Sequence, residues 1–340
     1  MRIKISAPFA LAAISLISVA TPAHSEEVNL YSTRQESLIR PILDEFEKDT
    51  GIKVNVVFAE SGMLERLKSE GMNSPADVVL TVDISRIAAH KKAGVLQPVE
   101  SDKLKKNIPP QYRDPNGEWY GLSARSRVFF HSKDRVKPSE LSTYKDLTDP
   151  KWKGRICVRS SSNAYNQSLL ASIIAHDGAE AAEKWAKGIK DNLARKPQGG
   201  DRDQIKAVAA GECDIAISNT YYYGAMQNSD DAKQVEATKK VRLFWPNQNG
   251  RGAHVNISGA AVTKSAKNKD AAIKLIEYLS DTKAQEFYAS SNYEFPVKSG
   301  VQLDETVESW GEFKADDIGL DKVAEAQAEA VKIFDRVGWR

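Results

Sequence analysis

Little cysteine, no apolar run of membrane-spanning length and no excess of charge mark this 340-residue chain. After residue 25 no segment approaches the roughly 20 apolar residues that a bilayer crossing needs, so no stable membrane insertion is expected. The 48 basic and 46 acidic residues become 46 and 46 once Arg2 and Lys4 of the N-terminal segment are set aside. A balanced chain argues against nucleic acid or an anionic membrane as the main partner. Low-complexity tracts and tandem repeats are absent, as are a Gly-x-Ser-x-Gly elbow and a His-Glu-x-x-His pair. Those absences weigh against a secreted hydrolase.

The two cysteines, Cys157 and Cys213, each border an apolar, strand-like run. In an oxidising compartment an even pair points to one disulfide; a metal-binding or catalytic pair is the alternative. The N-terminus supports the oxidising compartment. Arg2 and Lys4 precede an uncharged apolar stretch, and Ala23-His24-Ser25 supplies small residues where a signal peptidase would cut. Residues 1–25 are therefore expected to be a secretory signal peptide, leaving an exported chain long enough for two lobes.

What the chain does have is an alternation of strands and helices. Val28–Tyr31, Ile52–Phe58 and Ala76–Val82 read as strands; Ser37–Lys48, Met63–Leu67 and Ile84–Ala93 read as helices. This order predicts a largely parallel α/β sheet with helices on both faces. A second α/β unit is expected after Trp119-Tyr120-Gly121-Leu122, with strands at Val128–Phe130, Arg155–Val158, Ile215–Ser218 and Ile257–Val262. Its predicted helices include Ser168–His176, Ala179–Lys190, Asp203–Ala210, Asp270–Leu279 and Leu320–Phe334.

The Ile215–Ser218 strand runs into Asn219-Thr220-Tyr221-Tyr222-Tyr223-Gly224. Ligands of such sheets bind beyond the carboxyl ends of the strands, which is where these phenols sit. Phenolate oxygen is a hard anionic donor suited to a small trivalent cation, yet a phenol near pKa ~10 ionises at neutral pH only beside strong positive charge. The competing explanation is that the rings simply pack, as strand aromatics do. In a regular strand Tyr221 and Tyr223 would share one face and Tyr222 the other, so if neighbours both serve as ligands a turn or helix start is expected there. The histidines, His24 in the signal and His90, His131, His176 and His254 beyond it, show no ligand spacing.

Several segments in order carry a resemblance over nearly the whole exported chain. They are Val28–Gln35, Ser74–Asp83, Arg155–Ser160, Tyr165–Leu169, Ala194–Asp203 and Asn219–Tyr223. Together these resemble the bacterial periplasmic ferric iron-binding proteins, the tyrosine-rich, transferrin-like solute-binding proteins of ABC importers. The resemblance implies a two-lobed α/β periplasmic binding protein fold of type II, with the ligand cleft between lobes joined by hinge crossovers. The lobes would be residues 26–125 plus about 250–298, and residues 126–249 plus about 299–340. It implies Fe(III) held by the phenolates of Tyr165, Tyr221 and Tyr222, with carbonate, bicarbonate, another small anion or water completing the coordination. Arg34, Gln35 and Arg125 would line the facing wall; a plain ion pair for Arg125 and a loop hydrogen bond for Gln35 are the alternatives. The serine-rich helix start that includes Ser160 would favour a bound anion. Glutamine at Gln35 stands where many relatives have histidine, which leaves a direct ligand from the first lobe open. The implied role is that of a periplasmic monomer, not an enzyme, that delivers iron to an inner-membrane permease and its ATPase. A protein of the same fold for an oxyanion or small organic ligand is the alternative.

Overall fold

The computed structural model describes residues 26–340; the expected signal peptide, its cleavage site and His24 lie outside the described residues. Nine strands are present among them: β1 (Glu27–Ser32), β2 (Lys53–Phe58), β3 (Val78–Thr81), β4 (Tyr120–Ser132), β5 (Ile156–Cys157), β6 (Ile215–Asn219), β7 (Val241–Phe244), β8 (Val255–Val262) and β9 (Phe295–Pro296). They form one curled sheet in the order β2-β1-β3-β8-β4-β6-β5, with β7 and β9 paired to β4.

The architecture is α/β, as the alternation predicted, but the sheet is mixed rather than largely parallel. β1 pairs in parallel with β2 and β3, and β5 with β6. β8 and β4 run antiparallel to all their neighbours. Helical crossovers return a chain in parallel, whereas β4 and β8 are inserted between the two parallel sets and meet them head to tail. β4 spans 13 residues, all of them buried, with its register on β8 shifting between Gly121 and Ser123, close to where the second unit was expected to begin. Its first half, to Ser126, pairs with β8; from Arg127 it pairs with β6. One strand thus serves both ends of the sheet.

Local signals explain the helices that matter for the site. Asn163 caps the Ala164–Asp177 helix by accepting from the Asn166 N–H, and Gly178, at φ 84, ends it. This helix starts four residues earlier than the apolar pattern indicated, so Tyr165 belongs to its first turn. The expected departure from strand geometry is found after Asn219, where the Thr220–Gln227 helix begins. At Gly224 that helix comes so close to Tyr293 that a Cβ would stand 2.6 Å from its side chain. Of the predicted helices, Asp203–Ala210 extends back to Asp201, and Thr282–Asn292, mostly polar, was not predicted. The Leu320–Val337 helix packs on both the Ala164–Asp177 and Ile84–Lys92 helices.

Cys157 and Cys213 form a disulfide with Cα atoms 5.9 Å apart. It ties the end of β5 to the residues that lead into β6, below the tyrosines. No helix of the described residues is long and apolar enough to cross a membrane.

Candidate metal centre

A cleft of about 510 Å³ opens beyond the carboxyl ends of β1, β3 and β6. Tyr165, Tyr221 and Tyr222 line one side, with Ser160 beside them; Arg34, Gln35 and Arg125 line the other. Every residue expected at the site reaches this one cleft. The disulfide cysteines lie outside it, in a small apolar cluster with Tyr223.

The three phenols come from two helix starts. Tyr165 stands in the first turn of Ala164–Asp177, and Tyr221 and Tyr222 in the first turn of Thr220–Gln227. The Tyr221 hydroxyl donates to the Tyr165 hydroxyl at 3.3 Å, close enough for both oxygens to share one small cation. The Tyr221 and Tyr222 rings lie 4.2 Å apart. Burial pushes the Tyr221 phenol well up, and the neighbouring Tyr165 and Tyr222 push it further against the pull of Arg125. Burial and the Asp201 carboxylate likewise raise Tyr222, opposed by Tyr221 and Arg159. Without a cation these groups are therefore neutral phenols. Only a strongly positive guest makes three phenolates stable in so small a space.

Tyr223 behaves differently. Its ring packs on Phe130 and its hydroxyl donates to the Thr238 and Val241 carbonyls, so it is a core residue. None of His90, His131, His176 and His254 lines the cleft. Among the described residues no group of three or more His, Cys, Asp or Glu side chains is placed to hold a metal ion.

The opposite wall is built on a carboxylate that sequence reasoning missed. Glu294 lies buried between Arg34 and Arg125 and accepts a hydrogen bond from each. Ser258 accepts from both guanidinium groups as well. Arg125 also donates to the Val82 carbonyl, while its Nε is buried without a partner. Its guanidinium carbon stands 5.8 Å from the Tyr221 ring. Burial alone would raise the Glu294 carboxyl, but Arg34 and Arg125 hold it down to about 2. Glu294→Gln leaves two buried guanidinium groups short of a counter-charge and should cost about 3–5 kcal/mol in denaturant unfolding. The lowered carboxyl also fixes a sign. Its stabilisation is complete above the ordinary glutamate value of 4.5 and is lost as pH falls toward about 2. Unfolding midpoints measured downward from pH ~6 should therefore fall more steeply in the wild type than in Glu294→Gln. Parallel curves would remove Glu294 from the acid response.

Beneath the tyrosines lies a second ionic group that was not anticipated. Arg127 and Arg159 both pair with Asp201, which is fully buried at the start of the Asp201–Ala210 helix. Burial would raise the Asp201 carboxyl; the two arginines bring it below its usual value. No local sequence signal pointed here: Ser123-Ala124-Arg125-Ser126-Arg127 reads as the polar end of a strand, and its burial appears only in the structure.

Known proteins share the sequence pattern and the fold. Residues 73–323 match the family described as bacterial extracellular solute-binding protein. Iron uptake protein A1 of Synechocystis sp. is 49% identical over 321 residues, covering 94% of this chain and 89% of that relative. A Trichodesmium protein solved in complex with iron and citrate superposes with a TM-score of 0.88 at 47% identity, over 92% of this chain and all of that one. The apo ferric ion-binding protein A of Pasteurella haemolytica gives 0.87 at 50% identity, over 92% and 98%.

Proposed function

From the premise that the chain belongs to the bacterial extracellular solute-binding proteins, within the ferric iron-binding group, we propose that it is the periplasmic iron-binding component of an ABC importer. Its cargo is Fe(III), bound by the phenolate oxygens of Tyr165, Tyr221 and Tyr222. The family is one of solute carriers rather than enzymes. The observation that carries the reading is the meeting of three phenols from two helix starts, in a cleft without a competing histidine or carboxylate cluster.

The charges fit. Three phenolates neutralise a trivalent ion, and the cleft adds five arginines: Arg34, Arg86, Arg125, Arg159 and Arg202. Against them stand Glu60, Asp83 and Glu294. The surplus of positive charge suits a small bound anion such as carbonate, for which the Ser160–Asn163 turn at a helix start is a suited donor. Residues 26–125 with about 250–298 would form one lobe, and residues 126–249 with about 299–340 the other. Iron would load on the tyrosine side and the arginine side would close over it. Delivery is then to an inner-membrane permease driven by its ATPase.

The test is a titration of apo-protein with ferric nitrilotriacetate, with and without bicarbonate, followed in the visible range. A phenolate-to-iron charge-transfer band that saturates at one iron per chain is expected. A colourless complex would refute the tyrosine assignment.

A further inference from the structure

The three phenols sit on two separate helices, so something must set the distance between those helix starts. The candidate is a single side chain behind them. Arg127 is buried on β4, with its ladder partner Asn219 directly opposite on β6. Its Nε donates to Asn166 Oδ1 at 3.1 Å, and one terminal nitrogen donates to the same oxygen at 2.5 Å. The other terminal nitrogen donates to Asp201 Oδ1 at 2.9 Å and to Asn219 Oδ1 at 3.0 Å. A longer contact, 3.4 Å, reaches the Ile217 carbonyl.

The placement of those acceptors is what matters. Asn166 directly follows Tyr165, and Asn219 stands two residues before Tyr221. One guanidinium therefore grips both tyrosine-bearing helix starts at once. Asn166 passes the hold on, since its Nδ2 donates to the Arg159 and Ser160 carbonyls. Asp201 does the same on the other side, accepting from the Ser218 hydroxyl and the Asn219 N–H.

Asn219 shows that the arrangement overrides a local preference. It is the N-cap residue of the Thr220–Gln227 helix, yet its side chain makes no capping hydrogen bond. Asparagine at this position ordinarily turns its side chain to the first free N–H groups of the helix. Here Oδ1 turns away from the helix toward Arg127, and Nδ2 is left buried without a partner. Asn163, at the start of the other helix, caps in the ordinary way.

We propose that Arg127 is the positioning residue of the iron site: its planar fork sets the separation between Tyr165 and the Tyr221–Tyr222 pair. It acts through Asn166 and Asn219 and does not touch the metal. A lysine would keep the charge beside Asp201 but lose the fork that spans two acceptors. The inference rests on the tyrosine reading above, and a wild-type protein without a ferric band would overturn both before any variant is made.

The test compares wild type, Arg127→Lys and Asn219→Ala by apo-protein melting and by ferric nitrilotriacetate titration. Folded Arg127→Lys should bind iron about 10–100-fold more weakly, with the charge-transfer band displaced, as when the partners of metal ligands are removed. Asn219→Ala should melt close to wild type, because the lost Oδ1 contact is offset by removing an unpaired Nδ2. It should nevertheless weaken iron binding and shift the band. A purely structural role would lower melting without moving the band. If Arg127→Lys does not fold, Asn219→Ala decides alone. Iron affinity within about twofold of wild type and an unmoved band in every folded variant would overturn the proposal.

Discussion

Tyr221→Phe and Tyr222→Phe should each fold as the wild type does and lose about a thousandfold or more in ferric affinity. Each change deletes one oxygen and leaves the ring to pack. What disappears is an anionic donor in direct contact with a trivalent ion. Even heavily screened, a unit charge near a cation contributes on the order of 4 kcal/mol, which is about three decades in binding. The band should bleach or shift in both. Tyr223→Phe is the internal control. Its hydroxyl is spent on the Thr238 and Val241 carbonyls, so its loss should cost about 1 kcal/mol of stability and leave the iron spectrum alone. Competition against a chelator of known affinity measures all three. Wild-type affinity in both ligand variants would end the assignment.

The second large effect is expected from pH. Burial and mutual proximity hold the Tyr221 and Tyr222 phenols above their usual range, so the apo-protein carries them protonated through neutrality. In the proposed iron complex they are phenolates. Binding therefore releases protons, and affinity must rise with pH and fall with acid. Each released proton contributes about a tenfold change in affinity per pH unit. Two or three phenols together make mild acidification a strong release signal. Competition titrations across pH ~5 to 8, corrected for the chelator's own protonation, should give that slope. A flat profile would mean that the oxygens bound to iron are not phenols.

The tyrosine side of the cleft was far more legible in the sequence than the scaffold that supports it. The run Tyr221-Tyr222-Tyr223 stands out because it follows an apolar strand; the choice of Tyr221 and Tyr222 within it, and of Tyr165, came from the family resemblance. Tyr165 stands close behind Asn163, which does cap its helix. These are local signals, and local signals survive without a structure. The scaffold was hidden for the opposite reason. Ser123, Arg125, Ser126 and Arg127 look like the polar end of a short strand, yet all are buried within β4. Their burial depends on partners far along the chain: Glu294 is 169 residues from Arg125, and Asp201 is 74 from Arg127. Glu294 itself is a lone acid after a helix with little apolar pattern, and nothing beside it announces its role. The sheet direction failed on the same ground, because the antiparallel pairing of β8 is a long-range choice.

That late pairing also governs how the chain comes to fold. β1, β2 and β3 are made first, but the edge of β3 finds its neighbour only when β8, beginning at Val255, has been synthesised. Until then β3 and the first half of β4 offer open edges, which are templates for pairing with other chains. Contacts of such sequence separation are slow to form. The sheet therefore cannot be completed until β8 has been made, and a fragment ending after β4 is left with edges that favour aggregation.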